Sequence, residues 1–144
     1  NPVCKKAINI KLVDETDYDG SGALVWKIVY KYNENKKLLS EAHYFADGSL
    51  SEECIYSYLP SGAIETITTN SVIEGRNQEV FRYAANGQLT EITTYNAEGK
   101  VTKRIIVKYD GQGNVSKISE YNIAEKFGTT VNELVSMFDY TYSY

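Results

Sequence analysis

The stretch YAANGQLTEITTYNAEGKVTKRIIVKYDGQGNVSKISEY, residues 83–121, decides the fold. One pattern runs through it three times: a Tyr, three residues, a Gly, one residue, then Leu or Val, with Ile three places before the next Tyr. Working outward, the same corner recurs at Gly22, Asn35, Gly48, Gly62, Gly75, Gly87, Gly99 and Gly113, a period of about 13 residues. Such a period holds one strand and one turn. Asp47-Gly48, Ser61-Gly62, Glu74-Gly75, Asn86-Gly87, Glu98-Gly99 and Gln112-Gly113 each place a polar residue before Gly. That chemistry predicts a type I turn followed by a left-handed Gly and a bulge. Asn35 takes the left-handed place where Gly is missing, because Asn tolerates it best.

Between corners the side chains alternate with period 2, the mark of a strand. Val101, Lys103, Ile105, Val107 and Tyr109 share one face; Leu24, Trp26, Ile28, Tyr30 and Tyr32 do so in an earlier copy. An aliphatic residue follows each corner (Leu24, Leu50, Ile64, Leu89, Val101, Val115) and a Tyr precedes the next (Tyr18, Tyr44, Tyr58, Tyr83, Tyr95, Tyr109), with Tyr121 ending the series. Simple alternation puts both types on one face, which is assigned to the core. A second stripe, Val29, Ile55, Ile67, Val80, Ile92, Ile106 and Ile118, lies opposite. The fold predicted is all-β: a long antiparallel meander of about ten strands in one twisted or curled sheet of hairpin repeats, residues 1–144 forming a single domain. Partial closure toward a barrel is the alternative, since open sheets of many strands curl.

The ends depart from the rhythm. Residues 5–13 read as a first strand and residues 14–22 as its turn. Asn70 stands at a Tyr position and Asn77 at an aliphatic one, so residues 70–77 form the most irregular copy. Residues 122–132 are an insertion with a short helical turn over 124–127 ended by Gly128. Residues 134–144 read as the last strand, with Leu134, Phe138, Tyr140, Tyr142 and Tyr144 in phase.

Composition limits function. Thirteen Tyr against two Pro and one Met suit a half-buried pleated surface. A net charge of −4 with no basic stripe excludes a nucleic-acid partner. No apolar run reaches the ~18 residues that a spanning helix requires. Cys4 and Cys54 form one disulfide in an oxidising compartment or stay reduced as two small apolar residues.

Chemistry was sought in the usual constellations. His43, the only histidine, sits mid-strand and reads as a half-exposed strand residue. With one His and two distant Cys, no zinc ligand set exists. Asp17, Asp19, Ser21 and Gly22 fit the opening positions of a calcium-loop pattern, but Ile28 stands where its bidentate Glu belongs. Glu52 and Glu53 alternate faces and do not converge as a glycosidase pair does. The expectation is therefore no enzyme, no cofactor and no metal. The tyrosines outside the ladder, Tyr30, Tyr56, Tyr140, Tyr142 and Tyr144, are the candidate partner surface, since Tyr offers rigid amphipathic contact area for protein or glycan. Two other readings stand beside this one. One is a hydrolase with carboxylates meeting in a curled-sheet cleft. The other is a scaffold or inhibitor that docks by edge-strand addition.

The segment Tyr109-Asp110-Gly111-Gln112-Gly113-Asn114-Val115-Ser116-Lys117-Ile118-Ser119-Glu120-Tyr121 resembles the YD repeat of RHS and teneurin-type surface proteins. Weaker copies extend from about Tyr18, with Phe45, Leu59, Ala84 or Asn96 in place of the Asp. The whole chain is similar to small secreted YD-like proteins of gut Bacteroidetes. The resemblance implies an exported domain, secreted, periplasmic or at the cell surface. A chain that starts at Asn1 without a leader fits that expectation.

Overall fold

The computed structural model describes residues 13–143. The strands are β1 (Asp14–Tyr18), β2 (Leu24–Tyr32), β3 (Leu38–Phe45), β4 (Leu50–Tyr58), β5 (Ile64–Ser71), β6 (Gly75–Tyr83), β7 (Leu89–Asn96), β8 (Val101–Tyr109), β9 (Val115–Lys126) and β10 (Thr129–Asp139). They form one ten-stranded antiparallel meander in chain order, with β1 and β10 as its edges among the described residues. No ladder joins those edges among the described residues, so the sheet is not a barrel. By packing the chain divides into two compact units. One ends at Ile55 and includes Asn70–Glu74; the other holds Tyr56–Thr69 and the chain from Gly75 onward.

The turn chemistry works as the sequence predicts. At Asp19, Asn33, Phe45, Leu59, Ala84, Asn96 and Asp110 the backbone N–H donates to the carbonyl four residues on. The carbonyl of the same residue accepts from the N–H three residues on. This is the type I turn with a left-handed third residue. The corner beside Asn35 is different: Lys36 takes the left-handed conformation, at φ 61°, not Asn35. Chain length between Tyr32 and Leu38 fixes which residue turns the corner, and it overrides the local preference of Asn. The β5–β6 connection is irregular, as expected. There the N–H groups of Ile73 and Glu74 both donate to Ser71 Oγ, at 3.2 Å.

The Asp of the YD motif has a defined task. Asp110 Oδ1 accepts from the N–H groups of Gln112 and Asn114, at 2.9 and 3.0 Å, and Asn96 Oδ1 does the same for Glu98 and Lys100. Where that residue is Phe45, Leu59 or Ala84, a side chain two places on takes over the second of these donors. Asp47 Oδ1 accepts from Ser49 N, Ser61 Oγ from Ala63 N and Asn86 Oδ1 from Gln88 N. Either solution satisfies the N–H that follows the left-handed residue, a donor the ladder leaves unpaired. The missing Asp in the weaker copies is thus replaced within the same turn.

Ladder register corrects the assignment of faces. Tyr83 pairs with Leu89, but Arg82 pairs with Glu91, so Thr90 is an extra residue. The same shift separates Tyr95↔Val101 from Thr94↔Lys103, and Tyr109↔Val115 from Lys108↔Lys117. Each bulge reverses the phase. Leu89 therefore shares a face with Tyr83, Phe81, Ile92, Ile105 and Tyr109, whereas Tyr95, Val101, Arg104 and Tyr121 lie on the other. The aliphatic residue and the Tyr of one strand do not share a face; the Tyr pairs with the aliphatic residue across its own turn. In β2 the bulge at Val25 separates Leu24 from Trp26 in the same way.

No apolar side chain is fully buried among the described residues; Ser40, Thr93 and Ser119 are the buried ones. Neither face is a conventional core. Stability comes from cross-strand pairs, each contributing about 0.2–1 kcal/mol, and from continuous ladders. Three expectations for the ends are also corrected. Residues 14–18 are strand β1, and its turn begins at Asp19. No helical turn occupies 124–127, because β9 runs through Lys126 and only Phe127 and Gly128 turn, both at positive φ. The last strand starts at Thr129 and ends at Asp139, and the bulge at Val135 puts Leu134 and Phe138 on opposite faces. Of the expected first strand, Val13 lies within the described residues; its carbonyl accepts from Tyr30 N at 2.8 Å.

Candidate functional site

Three surfaces carry chemistry. In the first unit, register sets Trp26 opposite Phe45, Ile28 opposite His43 and Tyr30 opposite Glu41 on one face. Trp26 and Phe45 are 37% and 39% exposed and line a small cavity of about 220 Å³ together with Ile28 and His43. His43 Nε2 lies 3.4 Å from Glu41 Oε2. The Tyr30 hydroxyl donates to Glu15 Oε1 at 3.1 Å; desolvation and this carboxylate hold the phenol above its usual pKa.

In the second unit a polar network crosses β6, β7 and β8. Arg82 donates to Thr93 Oγ1 at 2.8 Å and to the Tyr95 hydroxyl at 3.3 Å. Thr93, 1% exposed, donates through Oγ1 to Glu91 Oε1 at 3.1 Å. Glu91 Oε1 also meets Arg104 Nε at 3.6 Å. One carboxylate thus stands between two guanidinium groups.

Beside this network lies a concavity of about 700 Å³. The β8–β9 ladder starts at Lys103↔Asn122, so the tip of the β9–β10 hairpin projects past β8. The groove forms between that tip and the β7–β8 hairpin. Asn96, Lys100, Val101, Thr102 and Arg104 line one wall. Ile123, Glu125, Thr130 and Asn132 line the other.

The third surface is the β10 edge. Leu134, Val135, Met137 and Phe138 are half exposed, and Tyr140 and Tyr142 beyond the strand are 43% and 42% exposed. Of the tyrosines singled out by sequence, these two lie at this edge, Tyr30 lies on the Trp26 face, and Tyr56 lies half-buried in β4 of the second unit. Tyr144 and Cys4, and with Cys4 the disulfide expectation, lie outside the described residues; Cys54 is half-buried in β4. Sequence reasoning missed the groove and the Arg82–Glu91–Arg104 network. The signal was present in the insertion over 122–132, which breaks the Tyr spacing.

No group of three or more His, Cys, Asp or Glu side chains is placed to hold a metal among the described residues. Among the described residues no helix is long and apolar enough to cross a membrane. No protein-family model and no curated protein matches the sequence. Solved structures do. A porin-like protein from Bacteroides uniformis superposes with a TM-score of 0.61 at 10% identity, covering 90% of this chain and 65% of that one. The Photorhabdus luminescens Tc holotoxin pore gives 0.51 at 16% identity, covering 85% of this chain and 8% of that one. A protein of unknown function from Bacteroides fragilis is also similar, at 17% identity and a TM-score of 0.45. The chain thus spans less than two thirds of the porin-like protein and a small part of the toxin chain. At these identities the likeness to the porin-like and toxin chains is one of fold, consistent with a β-repeat domain.

Proposed function

We propose that the protein is a non-catalytic, exported, YD-like repeat domain that binds a glycan in the groove beneath the β9–β10 tip. One observation carries this reading: the groove combines amide and hydroxyl groups (Asn96, Thr102, Thr130, Asn132) with aliphatic walls (Val101, Ile123). Sugars present the same mixture of hydroxyl rims and apolar C–H faces. A few placed polar groups in a partly apolar concavity are what a binding site requires. Glu125 is the carboxylate among the lining residues, and the paired acids of a glycosidase call for a second. The Bacteroides porin-like neighbour is compatible with a setting outside the cytoplasm.

Calorimetric titration with a panel of oligosaccharides tests the reading. Thr130→Ala and Asn132→Ala, both at exposed positions of β10, should weaken binding while leaving thermal unfolding unchanged. A panel that stays blank, or variants that bind as well as the parent, would remove it. A second reading, a protein partner adding a strand along β10, is favoured by the exposed apolar row from Leu134 to Phe138. Light scattering separates the two: Phe138→Lys should change assembly under the second reading and leave glycan binding intact under the first.

A further inference from the structure

We infer that the groove selects sugars that carry an anionic group. The inference rests on the glycan reading above and specifies its ligand. Among the lining residues there are two cations, Lys100 and Arg104, and one carboxylate, Glu125. This local excess of positive charge occurs in a chain of net charge −4. The neighbouring network leaves both cations available to a ligand.

Arg104 Nε lies 3.6 Å from Glu91, and Glu91 is shared with Arg82 Nη1 at 4.0 Å. Thr93 also donates to Glu91 Oε1. Glu91 is therefore divided among three donors, and its ion pairs with Arg104 and Arg82 are long, at 3.6 and 4.0 Å. A guanidinium fork matches the two oxygens of a planar anion. The register fixes its direction, because Arg104 shares a face with Val101, Ile123, Glu125, Thr130 and Asn132. Lys100 has no ion pair among the described residues; its backbone N–H donates to Asn96 Oδ1, so the turn holds the residue while the ammonium stays uncommitted. Glu125, on the opposite wall, is placed to accept from ligand hydroxyls. The ligand class is an oligosaccharide with at least one charged sugar, its carboxylate or sulfate on Arg104 and Lys100 and its hydroxyls on Thr130 and Asn132.

The test compares oligosaccharides of one length in three forms: galacturonate oligomers, their carboxyl-reduced neutral counterparts, and sulfated neutral oligomers. Titration of the full chain at low salt should show the galacturonate or the sulfated form bound about tenfold to a hundredfold more tightly than the neutral one, the range for one hydrogen-bonded charge. Which anionic form leads identifies the source of the charge. Added salt should narrow the gap. Arg104→Gln should remove the preference while neutral binding persists. Lys100→Gln, which breaks no ion pair, should reduce it in a protein whose unfolding curve is unchanged. Equal affinity for charged and neutral forms, or a preference that survives both substitutions, overturns the charge selection and leaves the glycan reading in place. No binding of any form overturns the glycan reading itself.

Discussion

The β7–β8 and β9–β10 hairpins share one backbone strategy and differ in what encloses them. In the first, Tyr95 and Val101 face each other across the turn, Asn96 caps it, and ladders continue on both sides. In the second no Tyr precedes the turn, Phe127 is fully exposed at positive φ, and one side of β10 has no ladder partner among the described residues. The repeated hairpin fits its neighbours; the terminal one overshoots β8 and makes the groove. Regularity builds the sheet, and departure from regularity creates the concavity.

The largest expected effect breaks this comparison at the ladder. Ile105 sits in the middle of β8, paired with Ile92 and Glu120. Ile105→Pro should be the most destabilising substitution, because Pro removes a ladder donor from an interior strand. Val135→Pro, at the bulge of the edge strand, should cost far less. Urea midpoints that fall equally for both would show that β10 is as constrained as the interior.

Next come the tyrosine hydroxyls. Tyr109 donates to the Leu89 carbonyl at 2.7 Å, and Tyr83 to the Ile64 carbonyl at 2.7 Å, each reaching into the preceding hairpin at one end of the sheet. Tyr109→Phe should cost ~1 kcal/mol. Tyr121→Phe should cost little, since that hydroxyl makes no hydrogen bond among the described residues. Burial also pushes the Tyr83 phenol above its usual pKa. The fold therefore favours the neutral form. Its contribution is complete below about pH 10, the unfolded value, and is lost as pH rises through the folded one. Alkaline unfolding should be less steep in Tyr83→Phe.

The turns give a similar or smaller difference. Gly87 lies at φ 87° with open space around it, so Gly87→Ala strains the backbone alone, by ~1 kcal/mol. Lys36→Gly should run the other way and stabilise by less than that, because Gly also gains freedom when unfolded. Thermal melts of the two variants check the sign.

The smallest effect is at acid pH. Hydrogen bonds from Ser21 and Ser49 hold the Asp19 and Asp47 carboxyls below their usual pKa. Their contribution is present above the unfolded value, about 4, and is lost as pH falls through the folded one. Both groups are fully exposed, so Asp19→Asn with Asp47→Asn should flatten the acid limb of the stability curve only slightly.

How much of this was legible in the chain differs by residue. The corners at Gly48, Gly62, Gly87, Gly99 and Gly113 could be read directly, because positive φ excludes most side chains. The Tyr and aliphatic positions could also be read, but their partnership could not. Tyr95 and Val101 look like members of successive strands, and only the bulge at Thr102 makes them opposite each other on one face. Lys36 shows the same limit, since nothing in its side chain announces a left-handed residue. The groove was least legible of all. Its walls come from two hairpins, and no local pattern around Arg104 or Asn132 shows that they meet.

What the sequence determined by itself was strand, turn and order, since alternation and turn chemistry act over a few adjacent residues. The tertiary structure decided which face each side chain occupies, how far the last hairpin projects and where two cations meet a ring of amides and hydroxyls. Those outcomes depend on ladder register, and a single extra residue in a bulge reverses every side chain beyond it.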